Sequence, residues 1–391
     1  MAGVTIVFFG AAEIALRTAS KFGLPDLVVD NSPDMWGQSY GALVNVRNPD
    51  TIKDLAGDIR VVICSTSIRE ITEQLRGLGV QTDSVRVSPY VRSLASPLRL
   101  EAMRASFLVA SGGPVSDSES GGGGLYSVVV NGGEVSVSKI LSRSCHSIRR
   151  KPQGGFLVST DRGVTELSDS LVEVGSIRLP AGIRPHGIAF DKRGDKVYVV
   201  GSHVDMVLEF SISGELVGEI DIAFERTKSH VPRHHANDVE VVDGEIYVSM
   251  FSVSGSWRKG NHDGGVVSFS RKSGQRLGTV VSNLTMPHSV LVEDEELFVL
   301  SSGEGLLLGG SRNTLAQLPT FARGLDVKDG YFIIGASRNR NPDDRSRGDV
   351  LVKEVSNGFN VIDRQTLDAR MVQLGRNIPE IHACILTSAV E

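Results

Sequence analysis

Histidines recur along the last two-thirds of this chain, and each stands at the start of a short run that favours β-structure. Four copies carry the histidine itself: Cys145-His146-Ser147-Ile148, Pro185-His186-Gly187-Ile188, Pro287-His288-Ser289-Val290 and Ile381-His382-Ala383-Cys384. Two further copies carry Asn237 and Arg323 at the same point. Neutral imidazole nitrogens bind iron, zinc, copper, manganese and nickel in proteins. We call these six positions the slots. If the fold brings the six slot side chains together, they predict a site where chemistry can occur.

Three interpretations of the slot histidines are open from the sequence. In the first, the four histidines bind one divalent metal (iron, zinc or manganese) and leave coordination positions free for water or substrate. In the second, the imidazoles bind an anionic substrate without a metal. In the third, they form hydrogen bonds between neighbouring repeats and satisfy backbone groups. Metal binding is the leading hypothesis, with His234 and His235 as further candidates on the same rim.

The elements that must position the slots are short strands. Successive slots are separated by roughly 35 to 60 residues, which is the spacing of propeller blades. About eight to twelve residues after a slot run, a second β-rich run follows, as the second strand of a blade follows the first. These second runs are residues 155–159, 196–200, 245–249, 296–300 and 331–334. The pattern predicts about six blades whose slots face one shared axis.

The first and last β-rich runs complement each other. The first blade begins at Ser106 without a slot strand before it, and the last slot strand, residues 381–386, has no blade after it. We therefore expect the C-terminal strand to form the inner strand of the first blade and to bring His382 beside His146. Closure of this kind removes exposed sheet edges. Residues 106–391 are thus predicted to form a mostly-β, six-bladed propeller.

Residues 1–92 follow a different pattern, in which buried strands alternate with helices. Strands are predicted at residues 4–9, 26–30 and 61–64, and a helix at residues 11–22. Pro49 predicts the start of another helix, and the pair Ser67 and Glu70 is typical of a capping box. The alternation predicts a small Rossmann-like α/β domain with helices on both faces of a parallel sheet. A linker at residues 93–105 would join it to the propeller.

The turn after the first strand stands where a dinucleotide-binding fold has its glycine-rich loop. Gly10 is present, but Ala12 and Ala15 occupy the other two glycine positions. Alanine at the second position narrows the approach of a pyrophosphate to the backbone, so NAD is not expected. Asp30, at the end of the second strand, stands where a ribose hydroxyl would be bound.

A simpler nucleotide or a nucleotide-sugar is therefore the expected ligand of this domain. It would bind at the helix N-terminus through Gly10, Ala12 and Asp30. The alternative is a sheet domain that serves only packing or dimerisation.

Particular motifs resemble those of two known groups of proteins. The N-terminal motifs are Val7-Phe8-Phe9-Gly10, Val28-Val29-Asp30-Asn31 with Gly37, and Val62-Ile63-Cys64-Ser65. Over about 85 residues, this region resembles the small Rossmann-like domains of sugar-modifying acyltransferases. That resemblance implies a bound nucleotide-sugar.

The propeller motifs are His235-Ala236-Asn237-Asp238, Met286-Pro287-His288-Ser289 and Leu300-Ser301-Ser302-Gly303-Glu304-Gly305. Over most of residues 106–390 the chain is similar to an uncharacterised bacterial family of propellers, sometimes found near sugar and natural-product genes. This resemblance implies the fold and does not imply a reaction.

Further candidate residues lie at the slots and in loops. Glu304 is a candidate acid or base if its tight turn faces the axis, and His235 and Arg323 are candidate catalytic residues. Asn237 is a candidate substrate ligand. Arg338 and Arg340, in a densely charged loop, could bind phosphate or carboxylate in bidentate fashion, although such a loop could equally be only solvated. No Gly-x-Ser-x-Gly elbow or Walker-type loop is present.

Composition excludes several classes of function. Of the 391 residues, 40% are hydrophobic and 22% charged, which is typical of a soluble globular protein. A net charge of -5 and an aromatic content of 6% give no reason to expect nucleic acid or an anionic membrane as a partner. The three cysteines are widely spaced, and no signal peptide or long apolar stretch is apparent. These features predict a cytoplasmic protein.

The sequence thus favours a metal-dependent enzyme of sugar, nucleotide-sugar or specialised-metabolite biosynthesis, acting on a small molecule at the propeller axis. Lyase, hydrolase or isomerase chemistry would use the metal as a Lewis acid, and iron would allow oxygen chemistry. The alternative is a non-catalytic propeller scaffold that binds a glycan or a protein. The oligomeric state is open.

Overall fold

The computed structural model of the protein describes ten stretches of the chain. They are residues 4–81, 84–88, 90–91, 95–116, 121–191, 193–223, 233–257, 263–310, 313–337 and 357–388. Within these ranges, no helix has both the length and the apolar character needed to cross a membrane. The chain divides into two compact units, one of Met1–Ala102 with Ile362–Arg370 and one of Met103–Val361 with Met371–Glu391.

The first unit is built on a four-stranded parallel sheet. Its strands are β1 (Thr5–Phe9), β2 (Leu27–Val29), β3 (Ile59–Ile63) and β4 (Val85–Val87), in the order β2-β1-β3-β4. Its helices are α1 (Glu13–Phe22), α2 (Ile68–Gly77) and α3 (Ala95–Ala102), with 3-10 helices at Pro33–Met35 and Pro49–Asp54. The parallel pairing agrees with the prediction drawn from alternating strands and helices. Part of the predicted linker, residues 93–105, is helix α3.

Alternate side chains of β1 pack on opposite faces of this sheet. Val7 and Phe9 belong to a core that includes Ile71 of α2, whereas Phe8 belongs to a second core that includes Ala15 of α1. Because successive residues of a strand point to opposite faces, α1 and α2 cover opposite faces of the sheet. Burial on both faces explains why β1 reads as an uninterrupted apolar run.

The start of α2 differs from the predicted capping box. Ser67 occupies the N-cap position, but its side chain makes no capping hydrogen bond. Its backbone N–H instead donates to Ser65 Oγ at 3.3 Å, so a serine turn leads into the helix. The helix predicted after Pro49 is a short 3-10 helix, and its N-cap Asn48 accepts a hydrogen bond from the N–H of Asp50.

Beyond α3 the chain forms six four-stranded sheets, and the protein as a whole is mostly β-structure. The strands are β5 (Arg104–Ser111), β6 (Gly124–Asn131), β7 (Glu134–Leu141), β8 (Cys145–Arg150), β9 (Phe156–Thr160), β10 (Gly163–Leu167), β11 (Glu173–Ile177), β12 (Pro185–Phe190), β13 (Lys196–Gly201), β14 (Met206–Ser211), β15 (Leu216–Asp221), β16 (Ala236–Val242), β17 (Glu245–Met250), β18 (Gly264–Ser270), β19 (Arg276–Leu284), β20 (His288–Glu293), β21 (Glu296–Ser301), β22 (Leu306–Gly309), β23 (Asn313–Gln317), β24 (Phe321–Lys328), β25 (Tyr331–Ser337), β26 (Gly358–Asp363), β27 (Ala369–Gln373) and β28 (Ile381–Leu386). The sheets are β28-β5-β6-β7, β8-β9-β10-β11, β12-β13-β14-β15, β16-β17-β18-β19, β20-β21-β22-β23 and β24-β25-β26-β27.

The first strand of each sheet lies on the inside of a closed ring. These inner strands, β8, β12, β16, β20, β24 and β28, contact one another in that order, and β28 contacts β8. A ring of six four-stranded sheets around one axis is a six-bladed β-propeller, as the sequence predicted.

The C-terminal strand closes this ring. β28 pairs antiparallel with β5, with Cys384 opposite Val109 and Leu386 opposite Phe107. Ile381 and Leu386 are fully buried in the seam. The predicted closure of the first blade by residues 381–386 is confirmed.

A β-bulge interrupts every inner strand at its slot. The register against the second strand shifts across positions 146, 186–187, 237, 289, 324 and 382. In two blades the bulged residue follows the slot, and there Ser289 and Gly324 adopt positive φ angles of 57° and 71°. Because a bulge leaves one residue unpaired and re-aims its neighbours, the six bulges explain how slot side chains turn toward the axis.

Candidate ligand site at the propeller axis

The six slot side chains surround one cavity at the axis. The cavity has a volume of about 250 Å³, and its lining includes His146, His186, Asn237, His288, Arg323 and His382. The convergence of the slots that was expected from the repeat is therefore found.

A second ring, two residues before each slot, extends the cavity wall. It consists of Ser144, Arg184, His235, Met286, Phe321 and Glu380. Four of them line the cavity, whereas Ser144 and Glu380 lie 3.5 and 3.6 Å from slot histidines. His235, Met286 and Glu380 adopt positive φ angles between 47° and 52°. Non-glycine residues held in this conformation store backbone strain, which is concentrated at functional sites.

Small residues close the cavity on its inner side. Five of the residues directly after the slots are small, and the sixth is Asp238: the small ones are Ser147, Gly187, Ser289, Gly324 and Ala383. A Cβ on Gly187 would lie 2.2 Å from Asp238 Oδ1, and a Cβ on Gly324 would lie 2.4 Å from Ala383 Cα. The inner strands therefore approach too closely for a side chain at either glycine. They leave a space of about 40 Å³.

A buried ionic cluster lies directly beyond these small residues. Arg149 Nε donates to Ile188 O at 2.6 Å, and Arg149 Nη2 lies 3.3 Å from Glu240 Oε2 and 3.7 Å from Asp238 Oδ2. Asp326 Oδ2 accepts the N–H of Leu386 at 2.9 Å. We call the four charged residues, Arg149, Asp238, Glu240 and Asp326, the axial floor.

Burial shifts the proton equilibria of the axial floor. It raises the pKa of Glu240 to about 7, against the lowering effect of Arg149. It also raises the pKa values of Asp238 and Asp326. Burial alone would lower the pKa of Arg149, but the surrounding carboxylates raise it overall. One permanent positive charge is thus surrounded by carboxyl groups that hold protons more tightly than in water.

A chain of hydrogen bonds fixes the tautomers of two slot histidines. Arg323 Nη1 lies 3.0 Å from His382 Nε2, and a guanidinium can only donate, so this ring nitrogen accepts. His382 Nδ1–H then donates to His146 Nδ1 at 3.2 Å. His146 Nε2–H faces Ser144 Oγ at 3.5 Å, and the Ser144 hydroxyl donates to Gly112 O at 2.8 Å. This assignment joins two neutral imidazoles in one chain, with the Glu380 carboxylate 3.6 Å from His382 Nε2 at its end.

His186 completes the polar side of the cavity. Its ring lies parallel to that of His146, with centroids 4.9 Å apart. Burial, followed by neighbouring imidazoles and the Arg184 guanidinium, lowers the pKa of His186 well below 6.5. The cavity therefore combines neutral imidazoles with the permanently charged guanidinium groups of Arg184 and Arg323.

Aromatic rings form the remaining wall. The ring of His235 stacks on Trp257 with centroids 4.3 Å apart and lies 4.5 Å from Phe251. The ring of His288 lies between Phe251, at 5.1 Å, and Phe321, at 5.4 Å. These residues come from β16 to β24 and the adjoining loops, across the ring from β28 and β8.

Asn237 stands at the edge of this aromatic wall with a fixed amide. Its Nδ2 donates to His235 O at 3.1 Å and to Pro287 O at 3.2 Å, so the orientation of the amide is determined. Its Oδ1 is buried and has no hydrogen-bond partner among the described residues. An acceptor in this state costs free energy until a donor reaches it.

The predicted metal ligands are close together but already engaged. No three His, Cys, Asp or Glu side chains in the described part of the chain are arranged to hold an ion. His382 contacts Arg323 and His146 through its two ring nitrogens, and His288 Nδ1 lies 3.0 Å from both Met286 O and Ser302 Oγ. As they stand, these residues do not fit a metal bound by all four slot histidines, and metal binding stays a prediction.

The other predicted site residues are only partly brought together. His235 is in the cavity wall, where the Asp205 carboxylate accepts its N–H and that of His234. His234 itself contacts Ser252 O. Glu304 is exposed in the turn between β21 and β22, accepts a hydrogen bond from Ser301 Oγ, and does not line the cavity. The predicted substrate ligands Arg338 and Arg340 lie outside the described residues.

Six cavity residues were not identified as site residues from the sequence. Arg184, Met286 and Phe321 each stand two residues before a slot, so the alternation of a strand was a signal that could have found them. His203 belongs to the loop between β13 and β14, and Phe251 and Trp257 to the loop between β17 and β18. No local pattern marks a loop residue as facing the axis, because its position depends on how the loop folds back over the blade.

The predicted nucleotide residues lie together in the first unit, at the ends of β1 and β2. Both carboxylate oxygens of Asp30 accept backbone N–H groups, from Ala11 at 2.8 Å and Ser32 at 2.8 Å. A Cβ on Gly10 would lie 2.8 Å from Cys64 O, so this glycine is required for packing against β3. Asp30 and Gly10 therefore stabilise the local structure of this turn. Nucleotide binding by Gly10, Ala12 and Asp30 stays a prediction.

The fold and site define a β-propeller with a polar cavity at its axis. Residues 164–390 match the family described as a domain of unknown function (DUF4915). This match spans more than half of the 391 residues, and the chain belongs to that family. The match does not include residues 1–163, and the resemblance of the N-terminal region to acyltransferase domains stays a prediction.

Several solved structures are similar to part of this chain. A protein of unknown function from Bacteroides caccae is 16% identical, covers 72% of this chain and 98% of its own, and has a TM-score of 0.49. A nidogen/laminin complex gives 9% identity, 73% and 98% coverage and a TM-score of 0.51. Streptogramin B lyase gives 12% identity, 71% and 91% coverage and a TM-score of 0.42. Identities this low relate folds and not functions. Among curated proteins, no sequence matches this chain.

Proposed function

We propose that the axial cavity is the active site of an enzyme that moves protons on a small anionic molecule, as an isomerase or a lyase does. The observation that carries this proposal is the neutral, hydrogen-bonded pair of His146 and His382, placed beside two guanidinium groups in one cavity. A metal is not needed for this chemistry.

The charge of the cavity favours an anion. Arg184 and Arg323 both line it, whereas Glu380, the carboxylate of the second ring, lies 3.6 Å from His382 Nε2 and outside the lining. Guanidinium groups bind carboxylates and phosphates through paired hydrogen bonds. Because Arg323 is 8% exposed, bulk water screens its charge weakly, and a bound anion would interact with it strongly.

The imidazoles favour proton transfer. A general base must be unprotonated at the working pH, and burial keeps His186 unprotonated by lowering its pKa well below 6.5, which also makes it a weak base. In the pair, His146 Nδ1 and His382 Nδ1 lie 3.2 Å apart, which is close enough for a proton to pass between the two rings. A guanidinium that holds the substrate's carboxylate would also stabilise negative charge that develops on abstraction of an adjacent proton.

The experiment is proton exchange in heavy water. Protein purified without an affinity tag is incubated with a panel of small carboxylates and phosphate esters, and loss of carbon-bound proton signals is followed by NMR. We expect exchange for at least one class of acid, and a loss of about 100-fold or more in His146→Asn, as for removal of a general acid or base. Arg184→Ala should weaken binding of the same acid, whereas Arg178→Ala, an exposed arginine outside the cavity lining, should not.

Metal analysis of the same preparation separates the other interpretations. About one metal equivalent per chain, lost in a His186→Ala, His288→Ala variant, would favour the metal-dependent form of the enzyme. Binding of acids without any exchange would favour a non-catalytic binding protein. If no acid in the panel exchanges or raises the melting temperature, the proposed function is wrong.

A further inference from the structure

We infer that the ligand of the axial cavity is a compact aromatic acid that carries a hydroxyl or N–H group on the side away from its anionic group. This inference rests on the proposed function and narrows the substrate from any small anion to one chemical class. Three independent features of the cavity support it: the separation of charge from aromatic surface, the state of Asn237, and the volume.

The cavity is divided into two sectors. Blades beginning at β28, β8 and β12 contribute His382, His146, His186 and Arg184, and Arg323 extends this sector from β24. The facing sector consists of His235, Phe251, Trp257, Met286, His288 and Phe321. A ligand that fills both sectors must therefore be anionic at one end and apolar at the other.

The geometry of the apolar sector favours a flat ring. Trp257 and His235 present stacked planes 26° apart, and Phe251 and Phe321 flank His288 at interplanar angles of 75°. Aromatic rings prefer offset-stacked and edge-to-face neighbours at centroid distances of roughly 4.5 to 7 Å. An aromatic body would continue this arrangement, whereas an aliphatic body of similar size would gain only apolar contact. Phe321 also lies against the Arg323 guanidinium, at 4.7 Å, so the two sectors meet there.

Asn237 adds a requirement for a hydrogen-bond donor. Both protons of its amide point at carbonyl oxygens of His235 and Pro287, so the oxygen cannot exchange places with the nitrogen. Asn237 is 4% exposed, and its Oδ1 has no partner within the described chain. It lines the cavity between the blades of His186 and His288. A phenolic hydroxyl or ring N–H of the ligand would satisfy it.

The volume limits the ligand to about one substituted ring. A cavity of roughly 150 Å³ is known to hold benzene, and this cavity measures about 250 Å³. A ring with a carboxylate and a hydroxyl fits this space. Pockets for drug-sized ligands begin at roughly 300 Å³, so a nucleotide-sugar is larger than the cavity accommodates.

The test compares matched ligands on the full-length protein by calorimetry. The aromatic probes are the three hydroxybenzoates and the hydroxyphenylacetates. Each is paired with its methoxy analogue, which lacks the donor, and with the corresponding hydroxycyclohexane acid, which lacks the flat ring. We expect at least one hydroxyaryl acid to bind about tenfold or more tightly than both of its partners.

Two variants assign the effects to their residues. Trp257→Leu should reduce the preference for the aromatic ring over the cyclohexane ring, whereas Trp36→Leu, the other tryptophan and outside the cavity lining, should leave it unchanged. Asn237→Ala should remove the preference for hydroxyl over methoxy. The ratio of two ligands on one variant is the readout, so a moderate loss of stability does not affect the result.

The outcomes distinguish this inference from the function on which it rests. Equal binding of aromatic and cyclohexane acids, or of hydroxy and methoxy acids, would overturn the ligand class and leave the anion-binding enzyme intact. If no acid of either kind binds, both the ligand class and the proposed function are overturned.

Discussion

The propeller axis carries two polar clusters of opposite character, one layer apart. In the axial floor, Arg149 is matched by carboxylates, and Asp238 and Asp326 also accept backbone N–H groups of neighbouring blades. In the cavity above it, Arg323 and Arg184 line open space. The same axis, built from the same six strands, thus contains one ionic cluster packed within the fold and a second polar cluster that lines a cavity.

The difference shows how a repeat fold separates stability from function. A buried ionic group that is fully paired holds the strands in place, because removing one partner leaves the other charged and unsolvated. A buried polar group beside empty volume is instead available to a ligand. Small residues at positions such as Gly187 and Gly324 separate the two levels. If the two levels have separate roles, substitutions in the axial floor should change stability and substitutions in the cavity should change ligand binding.

The largest effect is expected from deletion of residues 378–391, which removes β28 and so affects both levels. The strand buries Ile381, Ile385 and Leu386, and each such side chain contributes roughly 1.5 to 3 kcal/mol. Their sum approaches the whole stability of a typical domain, about 5 to 15 kcal/mol. We expect insoluble protein or a much lower melting temperature, whereas removal of residues 389–391 alone should be tolerated. A soluble truncated protein with an unchanged melting temperature would refute the role of β28 in closing the ring.

The two arginines of the axis provide the sharpest comparison. Arg149→Ala should lower the free energy of unfolding by about 3 to 5 kcal/mol, since it leaves buried carboxylates without their cation. Arg323→Ala should cost clearly less, because that guanidinium lines the axial cavity and lies outside the carboxylate cluster of the axial floor, but it should weaken binding of anions. Urea unfolding and calorimetry measure both effects. If Arg323→Ala destabilises the protein as much as Arg149→Ala, the cavity is a structural cluster as well.

The close packing between the levels predicts a strong effect of one methyl group. Gly187→Ala would place a Cβ 2.5 Å from the backbone Cα of Asp238, and overpacking of this kind costs about 1 to 3 kcal/mol. Gly278→Ala in β19 is the matched control, since nothing lies within 4 Å of its Cβ position. Thermal unfolding of the two variants gives the comparison, and equal melting temperatures would show that the inner strands can move apart.

The axial floor should make the protein less stable as the pH rises. Because burial raises the pKa of Glu240 to about 7, the folded state holds a proton that the unfolded chain releases near pH 4.5. Stability from this group is therefore complete below about pH 4.5 and is lost as the pH rises through 7. Glu240→Gln should reduce that loss by about 1 to 3 kcal/mol, at 1.36 kcal/mol per pKa unit. Urea unfolding at pH 5 and pH 8 measures the change in the free energy of unfolding. An equal change in Glu240→Gln and in the wild type would contradict the prediction.

His186 in the cavity should make the stability of the protein depend on pH in the opposite direction and by a smaller amount. Since the pKa of His186 is well below 6.5 because of burial, the unfolded chain binds a proton near pH 6.5 that the folded protein does not. Stability from this group is present above pH 6.5 and is lost as the pH falls. We expect His186→Asn to flatten the loss of stability between pH 7 and pH 5. A steeper acid loss in the variant would mean that His186 is charged in the folded protein.

Much of the fold was predictable because its signals are local. Alternation of strands and helices predicted the parallel sheet of β1 to β4, and recurring slots predicted six blades and the closure by β28. The capping box at Ser67 was wrong, because its hydroxyl makes no capping bond and a turn through Ser65 precedes the helix instead. Glu304 was placed in a tight turn as expected, but the side chain is exposed. A pattern of residue types does not fix which way a turn directs its side chain.

The sequence by itself determined that the six slot residues meet at the axis, since a repeat places the same position of every blade at the same distance from it. Only the tertiary structure decided what they do there. His146 and His382 are 236 positions apart, and Arg323 and His382 are 59 apart, so their hydrogen bonds depend on bulges in separate strands. Whether four histidines share a metal or form a neutral chain depends on differences of about an ångström in the approach of those strands. Such differences arise from the packing of all six blades, and no single blade encodes them.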